Sequence, residues 1–304
     1  MKKVAILLST YNGEKYLKNQ LDSLMTQSYK DFEIIARDDG SSDDTVEILK
    51  SFSIKLLKSE QNLGAKGSFG ELLKYAVQNG DSEYFMFCDQ DDVWKEDKIE
   101  KTLAKMQDME NTYSDMPLLV HTDLEVVDEK LNTINSSFYA FQKINPFEDN
   151  LNKFLVQNSI TGCTIMINRE LAQKCLPIPS KAIIHDWWIG LVDSKFGKIG
   201  YLNSPTIQYR QHNNNTVGAK GFSIHVIVKK IYMLFTSDIV KQYQSQAQAF
   251  LEQYQSELDI ETIKMLEDFT TLEQKSWWQK RAVLLKYKLL KQGFIRNCGL
   301  FLKI

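Results

Sequence analysis

Three aspartates crowd into four positions of "FCDQDDVW": Asp89, Asp91 and Asp92 follow directly on an apolar run, "YFMF". Carboxylates this close oppose one another's ionisation unless water, a cation or hydrogen-bond donors compensate. One chemistry open to them is ligation of a hard divalent cation, Mg2+ or Mn2+, which prefers carboxylate oxygens. The other is an acidic cap on the helix expected over "KEDKIEKTLAKMQ", where the helix dipole favours negative charge; Asp92 fits either role. In "ARDDGSSDDT", Asp38 and Asp39 end a second apolar run, where they either turn the chain and cap the helix near Thr45 or present a carboxylate to a ligand. Further on, "IIHDWWIG" sets Asp186 beside His185 and two tryptophans, giving a carboxylate able to take a proton from a hydroxyl or a helix cap beside a buried aromatic pair. Finally "YRQHNNNTVG" places Arg210 and His212, a phosphate-clamping cation and a metal-capable imidazole, before an Asn/Gly-rich stretch that reads as a lid.

The elements that must position these groups alternate. "VAILLS", "FEIIARD", "IKLLKS" and "YFMFCD" read as strands, separated by helical patterns such as "EKYLKNQLDSLMTQ", in which Leu17, Leu21, Leu24 and Met25 recur at helical spacing. This order predicts βαβ units and an α/β fold with a mostly parallel sheet covered by helices on both faces. Ligands in such sheets bind beyond the carboxyl ends of the strands, where Ser9, Tyr11, Asp38, Asp39, Asp89 and Asp91 fall. Downstream, "LLVHTDLEVVDEK" is expected to be a strand pair or a strand and turn. "TGCTIMI" is expected to be a strand, "HDWWIGLVDSKFG" a helix, and "KIGYLNSPTIQYRQH" a hairpin turning at "NSP". Only helical patterns follow the "NNNTVGAKG" break, so a catalytic domain over 1–218 and a helical C-terminal extension over 219–304 are expected.

Composition excludes little. The 304 residues carry 43% hydrophobic and 25% charged side chains with a net charge of -2, which argues against a general nucleic-acid binder. Four scattered cysteines form neither a disulfide framework nor a zinc motif. The short apolar run in "MKKVAILLSTYNG" reads as a first strand rather than a signal peptide, and no stretch approaches the roughly 20 apolar residues of a membrane span, so a cytoplasmic protein is expected. One end stands apart: residues 275–304 hold eight basic side chains and no acid, with Trp277, Trp278 and a series of leucines. That pattern predicts peripheral association with an anionic membrane surface; the alternative is an amphipathic pair packing on the catalytic domain or on a second subunit.

Taken in order, "LLSTYNGEKYLKNQLDSLMTQSY", "ARDDGSSDDT", "NLG", "FCDQDDVW" and "HDWW" resemble the scaffold of the family 2 inverting glycosyltransferases over about residues 1–218. The form "FCDQDDVW" with "YRQHNNNTVG" is most similar to the bacterial rhamnosyltransferase branch that builds surface polysaccharide. The resemblance implies a GT-A fold, a nucleotide-sugar donor, a saccharide or lipid-linked saccharide acceptor, and Mg2+ or Mn2+. It makes Asp89 and Asp91 the Asp-x-Asp signature, with Asp91 and His212 on the metal and Asp89 on the metal or the ribose. It gives Asp39 the pyrimidine base, with Asp38 beside it, Ser9 and Tyr11 further nucleotide contacts, and Arg210 a phosphate. It makes Asp186 the base that activates the acceptor hydroxyl, with Thr161, Gly162, Trp187 and Trp188 on the acceptor side. "NLGAKGSF" departs from the family pattern, in which Arg and Asn follow the glycine, leaving Lys66 to supply the charge. Two rivals differ in testable ways: a nucleotidyltransferase needs a glycine-rich basic loop where this chain has "STYNGEKYL", and a sugar-binding scaffold needs no base.

Overall fold

The computed structural model describes residues 3–57, 59, 61–212 and 239–304. Its organising element is β1 (Val4–Thr10), which is buried along nearly its whole length. Alternate residues point to opposite sides of a strand, and each side of β1 meets its own core. Val4, Ile6 and Leu8 pack with Leu17, Leu21 and Leu24 of α1 (Glu14–Met25). Ala5 and Leu7 pack with Phe69, Leu72 and Leu73 of α3 (Gly64–Asn79). A strand apolar on both faces is the expected signature of a sheet covered on both sides.

The sheet runs β3-β2-β1-β4-β8-β6-β9-β5, ending on the short β5 (Val93–Trp94), with β7 (Thr133–Asn135) added to β6. Strands β1, β2 (Phe32–Asp38), β3 (Lys55–Leu57) and β4 (Tyr84–Cys88) are parallel, so their carboxyl ends share one edge. Beyond β4 the sheet becomes mixed. β8 (Ile165–Asn168) is antiparallel to both β4 and β6 (Leu118–Val127), while β6 runs parallel to β9 (Lys198–Arg210).

Two local expectations are corrected. The predicted hairpin through "NSP" is one long strand, β9; its register against β6 slips so that Thr122 pairs Leu202 and Asp123 pairs Pro205. Pro205 has no N–H to give the ladder, and an irregularity absorbs it without turning the chain. Asp92 does not cap the next helix either: α4 (Lys98–Thr112) begins behind Asp97, and Asp92 is fully buried.

The C-terminal helices are α9 (Ile239–Tyr254), α10 (Ile260–Thr270), α11 (Trp277–Lys286) and α12 (Phe294–Lys303). They share a core with the sheet domain, for Tyr243, Ala247, Phe250, Leu284, Leu289 and Leu300 join the cluster that contains Leu7 and Phe85. The break expected near residue 220 lies outside the described residues, and on either side of it the apolar core is continuous.

Candidate functional site

β5 (Val93–Trp94) pairs antiparallel with β9 in the register Val93–Gln208 and Trp94–Ile207. Continuing that ladder two residues brings Asp91 opposite Arg210, and the side chains follow. The Arg210 N–H donates to Asp92 Oδ1 at 3.1 Å, its Nε to the Asp91 carbonyl at 2.9 Å, and Nη1 to the Glu129 carbonyl at 2.6 Å. His212 Nε2 lies 2.8 Å from Asp91 Oδ2. The Tyr16 ring of α1 backs both, 4.8 Å from the imidazole and 4.7 Å from the Arg210 guanidinium. Arg210 is therefore buried and anchors the Asp91 loop.

Crowding has electrostatic consequences. Asp89, only partly exposed, is pushed up to about 7 by burial and then by the charges of Asp91 and Asp186. Asp92 is pushed well above the carboxylate range by burial and by Asp91 and Asp89, and it rests against the Cys163 thiol. Lys98, buried over the Trp94 ring at 4.6 Å, is the cation beneath this group; burial holds it down to about 8. The sequence placed Lys98 merely on a helix.

The acidic edge fits a divalent cation. Asp91 and His212 already bring a carboxylate oxygen and an imidazole nitrogen within 2.8 Å of each other, and Asp89 carries a charge that its surroundings disfavour. Asp89, Asp92 and Cys163 also bring ligand atoms within 4.8 Å of one another. That inner trio is the poorer site for Mg2+ or Mn2+, since two members are fully buried and a thiol suits softer metals.

Asp186 is the second residue of α8 (His185–Phe196). Its Oδ1 accepts from the Trp187 N–H at 2.6 Å and from Asn158 Nδ2 at 3.3 Å, and its Oδ2 accepts from the Gly162 N–H at 2.9 Å. Burial outweighs these donors and pushes the carboxyl up to about 6. The charge of Asp186 also reaches Asp89 and helps to raise it. Thr161 ends the approach to this turn and its carbonyl accepts from Thr164. Gly162 is required: a Cβ there would lie 2.9 Å from His185 Nε2. His185 does not orient Asp186. Its ring packs on Phe69 and Phe87, and burial pushes it down to about 3, so it stays neutral. Asn158 does the orienting, and no pattern in the sequence marked it.

On the nucleotide side, Tyr11 is 51% exposed just past β1, its backbone held at both ends by Gln90, which accepts from the Tyr11 N–H at 2.8 Å and donates to its carbonyl at 3.0 Å. Gln90, the "Q" between the aspartates, thus ties the β1 loop to the acidic loop. Ser9 Oγ donates to Ser68 Oγ at 2.8 Å. Asp38 organises the following turn, accepting from Thr10 Oγ1, the Ser41 N–H and Ser41 Oγ. Asp39 is 2% exposed, paired with Arg37, and accepts from the N–H groups of Leu63 and Gly64. Its carboxylate fixes the "NLG" loop at the mouth of α3. Lys66 donates to the Ser180 and Ala182 carbonyls at 2.5 and 2.6 Å, tying α3 to that loop.

The tryptophans are corrected too. Trp188 is fully buried, its indole N–H donating to the Cys175 carbonyl and its ring packed against Phe250 and Tyr254. Trp187 is 8% exposed, donating to the Phe154 carbonyl and packing on Tyr243. Neither offers a face to a sugar; both anchor the helix that carries Asp186.

Residues 5–176 match the model of the family described as Glycosyl transferase family 2. The dTDP-rhamnosyl transferase RfbG of Shigella flexneri is 29% identical over 229 residues, 70% of this chain and 74% of that protein. The UDP-Glc:alpha-D-GlcNAc-diphosphoundecaprenol beta-1,3-glucosyltransferase WfgD of Escherichia coli is 31% identical over 201 residues, 64% of this chain and 72% of that protein. An uncharacterised glycosyltransferase of Rickettsia typhi, RT0329, is 27% identical over 219 residues, and the match spans only 65% of its length. Among solved structures, Staphylococcus aureus TarS 1-349 in complex with UDP-GlcNAc aligns with a TM-score of 0.56 at 18% identity, covering 95% of this chain and 90% of that one.

Proposed function

The chain belongs to glycosyl transferase family 2, and we propose that it transfers a sugar with inversion from a nucleotide diphosphate to a hydroxyl of a saccharide or lipid-linked saccharide. The observation that supports this reading is geometric: His212 meets Asp91 at 2.8 Å beside the carboxyl end of β4, and three donors, Asn158, Gly162 and Trp187, hold the Asp186 carboxylate. In the reaction, the acceptor oxygen bonds to the anomeric carbon, the bond from that carbon to the diphosphate oxygen breaks, and the hydroxyl proton passes to Asp186. A carboxylate pushed up to about 6 is ionised above neutral pH yet basic enough to hold that proton in the transition state.

Charge developing on the leaving diphosphate needs a counter-charge. Asp91 and His212, with Asp89, would hold a Mg2+ or Mn2+ ion supplying it. Tyr11, held by Gln90, offers an exposed ring for the base, and Ser9, Asp38 and Asp39 shape the loops around it.

The donor we propose to test first is dTDP-rhamnose, because RfbG is named for that sugar; WfgD, named for UDP-Glc, makes UDP-sugars the second class. Purified protein is incubated with each donor and a saccharide acceptor, nucleotide release is followed, and the product anomer is read by NMR. Inverted product with one donor class is expected. Retained configuration, or no nucleotide release with either class, would overturn the proposal.

A further inference from the structure

Helices α11 and α12 are apolar on two sides. Inward, Val283 and Leu284 of α11 and Leu300 of α12 enter the core, joined by Leu289 and Ile304 just past the helix ends. Outward, Trp277, Trp278, Leu285, Phe294, Ile295 and Leu302 are each more than half exposed. Positions 278 and 285 on α11, and 295 and 302 on α12, lie seven apart, so each helix carries an outward apolar stripe. Arg281 joins the two stripes: its guanidinium sits 3.6 Å from the Trp277 ring centroid and donates to the Phe301 carbonyl of α12 at 2.6 Å. A helix apolar all round is normally covered all round. The core supplies one cover, and the outward stripes face solvent.

Charge identifies the other cover. From residue 275 to 304 the chain has eight basic residues and no acid. Neighbouring structure answers some of that charge: Lys275 and Lys286 pair with Asp268 of α10, and Lys291 turns in to the Tyr243 hydroxyl. Lys288 remains exposed. A second copy of this chain would bring the same cation-rich segment against itself, and like charges oppose that pairing. An anionic bilayer answers both features, because it takes apolar side chains below its headgroups, accepts tryptophan at the headgroup level, and attracts Lys and Arg.

We propose that the outward faces of α11 and α12 form a rigid platform that docks the enzyme on an anionic lipid surface, with Trp277 and Trp278 at the headgroups and Phe294, Ile295 and Leu302 below them. The platform is pre-formed, since its inner face is already part of the core. No described helix is long and apolar enough to cross a membrane.

The test uses the full chain, because deleting residues 275–304 would take Leu284, Leu289 and Leu300 out of the core. Flotation is measured with vesicles of phosphatidylglycerol and phosphatidylcholine, and with phosphatidylcholine alone. The expected result is binding to the anionic vesicles, at least tenfold weaker on the neutral ones, weakened but not abolished by 0.5 M salt at about a 4–5 Å Debye length. Trp94, Trp187 and Trp188 are buried, so a blue shift of tryptophan emission on binding reports Trp277 and Trp278. The variant Trp278→Glu/Phe294→Glu/Leu302→Glu changes only exposed positions; it should keep its circular dichroism and its transfer to a soluble acceptor while losing at least tenfold in vesicle binding. Failure of the unaltered protein to float with anionic vesicles, or equal flotation of the triple variant, would overturn the proposal. So would a dimer in the absence of lipid that the triple variant dissolves. Flotation is read without donor or acceptor, so its outcome is independent of the proposed reaction.

Discussion

Replacing Asp186 by Asn separates catalysis from stability, because the structure makes opposite demands on the carboxylate. Loss of a general base costs roughly 10²–10⁴ in rate, and transfer should fall by that factor with donor affinity retained. Stability follows a different account. A carboxyl raised from 3.8 to about 6 by burial makes the ionised fold about 3 kcal/mol less stable above pH 6 than it would be with an ordinary carboxyl. The sign is that of a raised acid: the stabilisation is complete below about pH 4, where folded and unfolded chains both hold the proton, and is lost as pH rises through 6. An amide never ionises and escapes that loss. It has one oxygen, however, and Trp187 and Gly162 donate to opposite oxygens of Asp186, so the amide NH2 must face one of those donors. An orphaned buried N–H costs about 1–3 kcal/mol. Asp186→Asn should therefore be less stable than the unaltered protein near pH 4.5 and gain relative to it by about 2 kcal/mol on going to pH 7.5. Urea unfolding at several pH values reads this, beside transfer measured at pH 7.5. A stability difference that does not change with pH would refute the raised carboxyl, and near-normal transfer would refute the base.

Five further variants test the site. Asp91→Ala should abolish the Mn2+-dependent part of nucleotide binding while the fold survives, and His212→Ala should weaken it; isothermal titration with and without Mn2+ that shows unchanged metal dependence in Asp91→Ala would exclude it as a ligand. Gln90→Ala removes both hydrogen bonds to the Tyr11 backbone and should raise the donor KM about five- to tenfold, roughly 1 kcal/mol for a partly exposed pair of bonds, with little change in kcat. Arg37→Ala strips the cation from a carboxylate that is 2% exposed and should destabilise the protein by about 3–5 kcal/mol in urea unfolding, whereas Asp39→Ala should weaken nucleotide binding without changing its metal dependence.

How much of this was legible in the sequence depends on which physical signal each residue carried. Strands β1, β2 and β4 and the polar residues ending them were readable because a doubly covered parallel strand is a continuous apolar run and its ligand edge comes next in the chain. The proximity of Asp91 and His212 followed from resemblance, and the structure supplies the cause, the β5–β9 register, which no local pattern encodes. Asn158 and Gln90 were missed for the same reason: each acts on a backbone or carboxylate far away in sequence, and an isolated amide has no periodicity. The structural bonds of Trp187, Trp188 and Lys66 were not legible because residue type alone does not tell a ligand contact from a structural one. An indole that donates to a carbonyl and a lysine that donates to two carbonyls are both satisfied by the fold.

The C-terminal run shows the limit most clearly. As composition it is a uniform basic and apolar segment, and membrane binding and packing on the catalytic domain stood as alternatives. The structure removes the opposition, because each helix has two apolar sides and only one of them is needed for the core. Leu284 and Trp278 are six positions apart and alike in hydrophobicity, yet one is fully buried and the other 76% exposed. Hydrophobic content measures how much surface seeks cover. Which part the chain covers itself, and which part is left for another surface, is decided by contacts from Tyr243, Leu266 and Phe269 that lie outside the segment altogether.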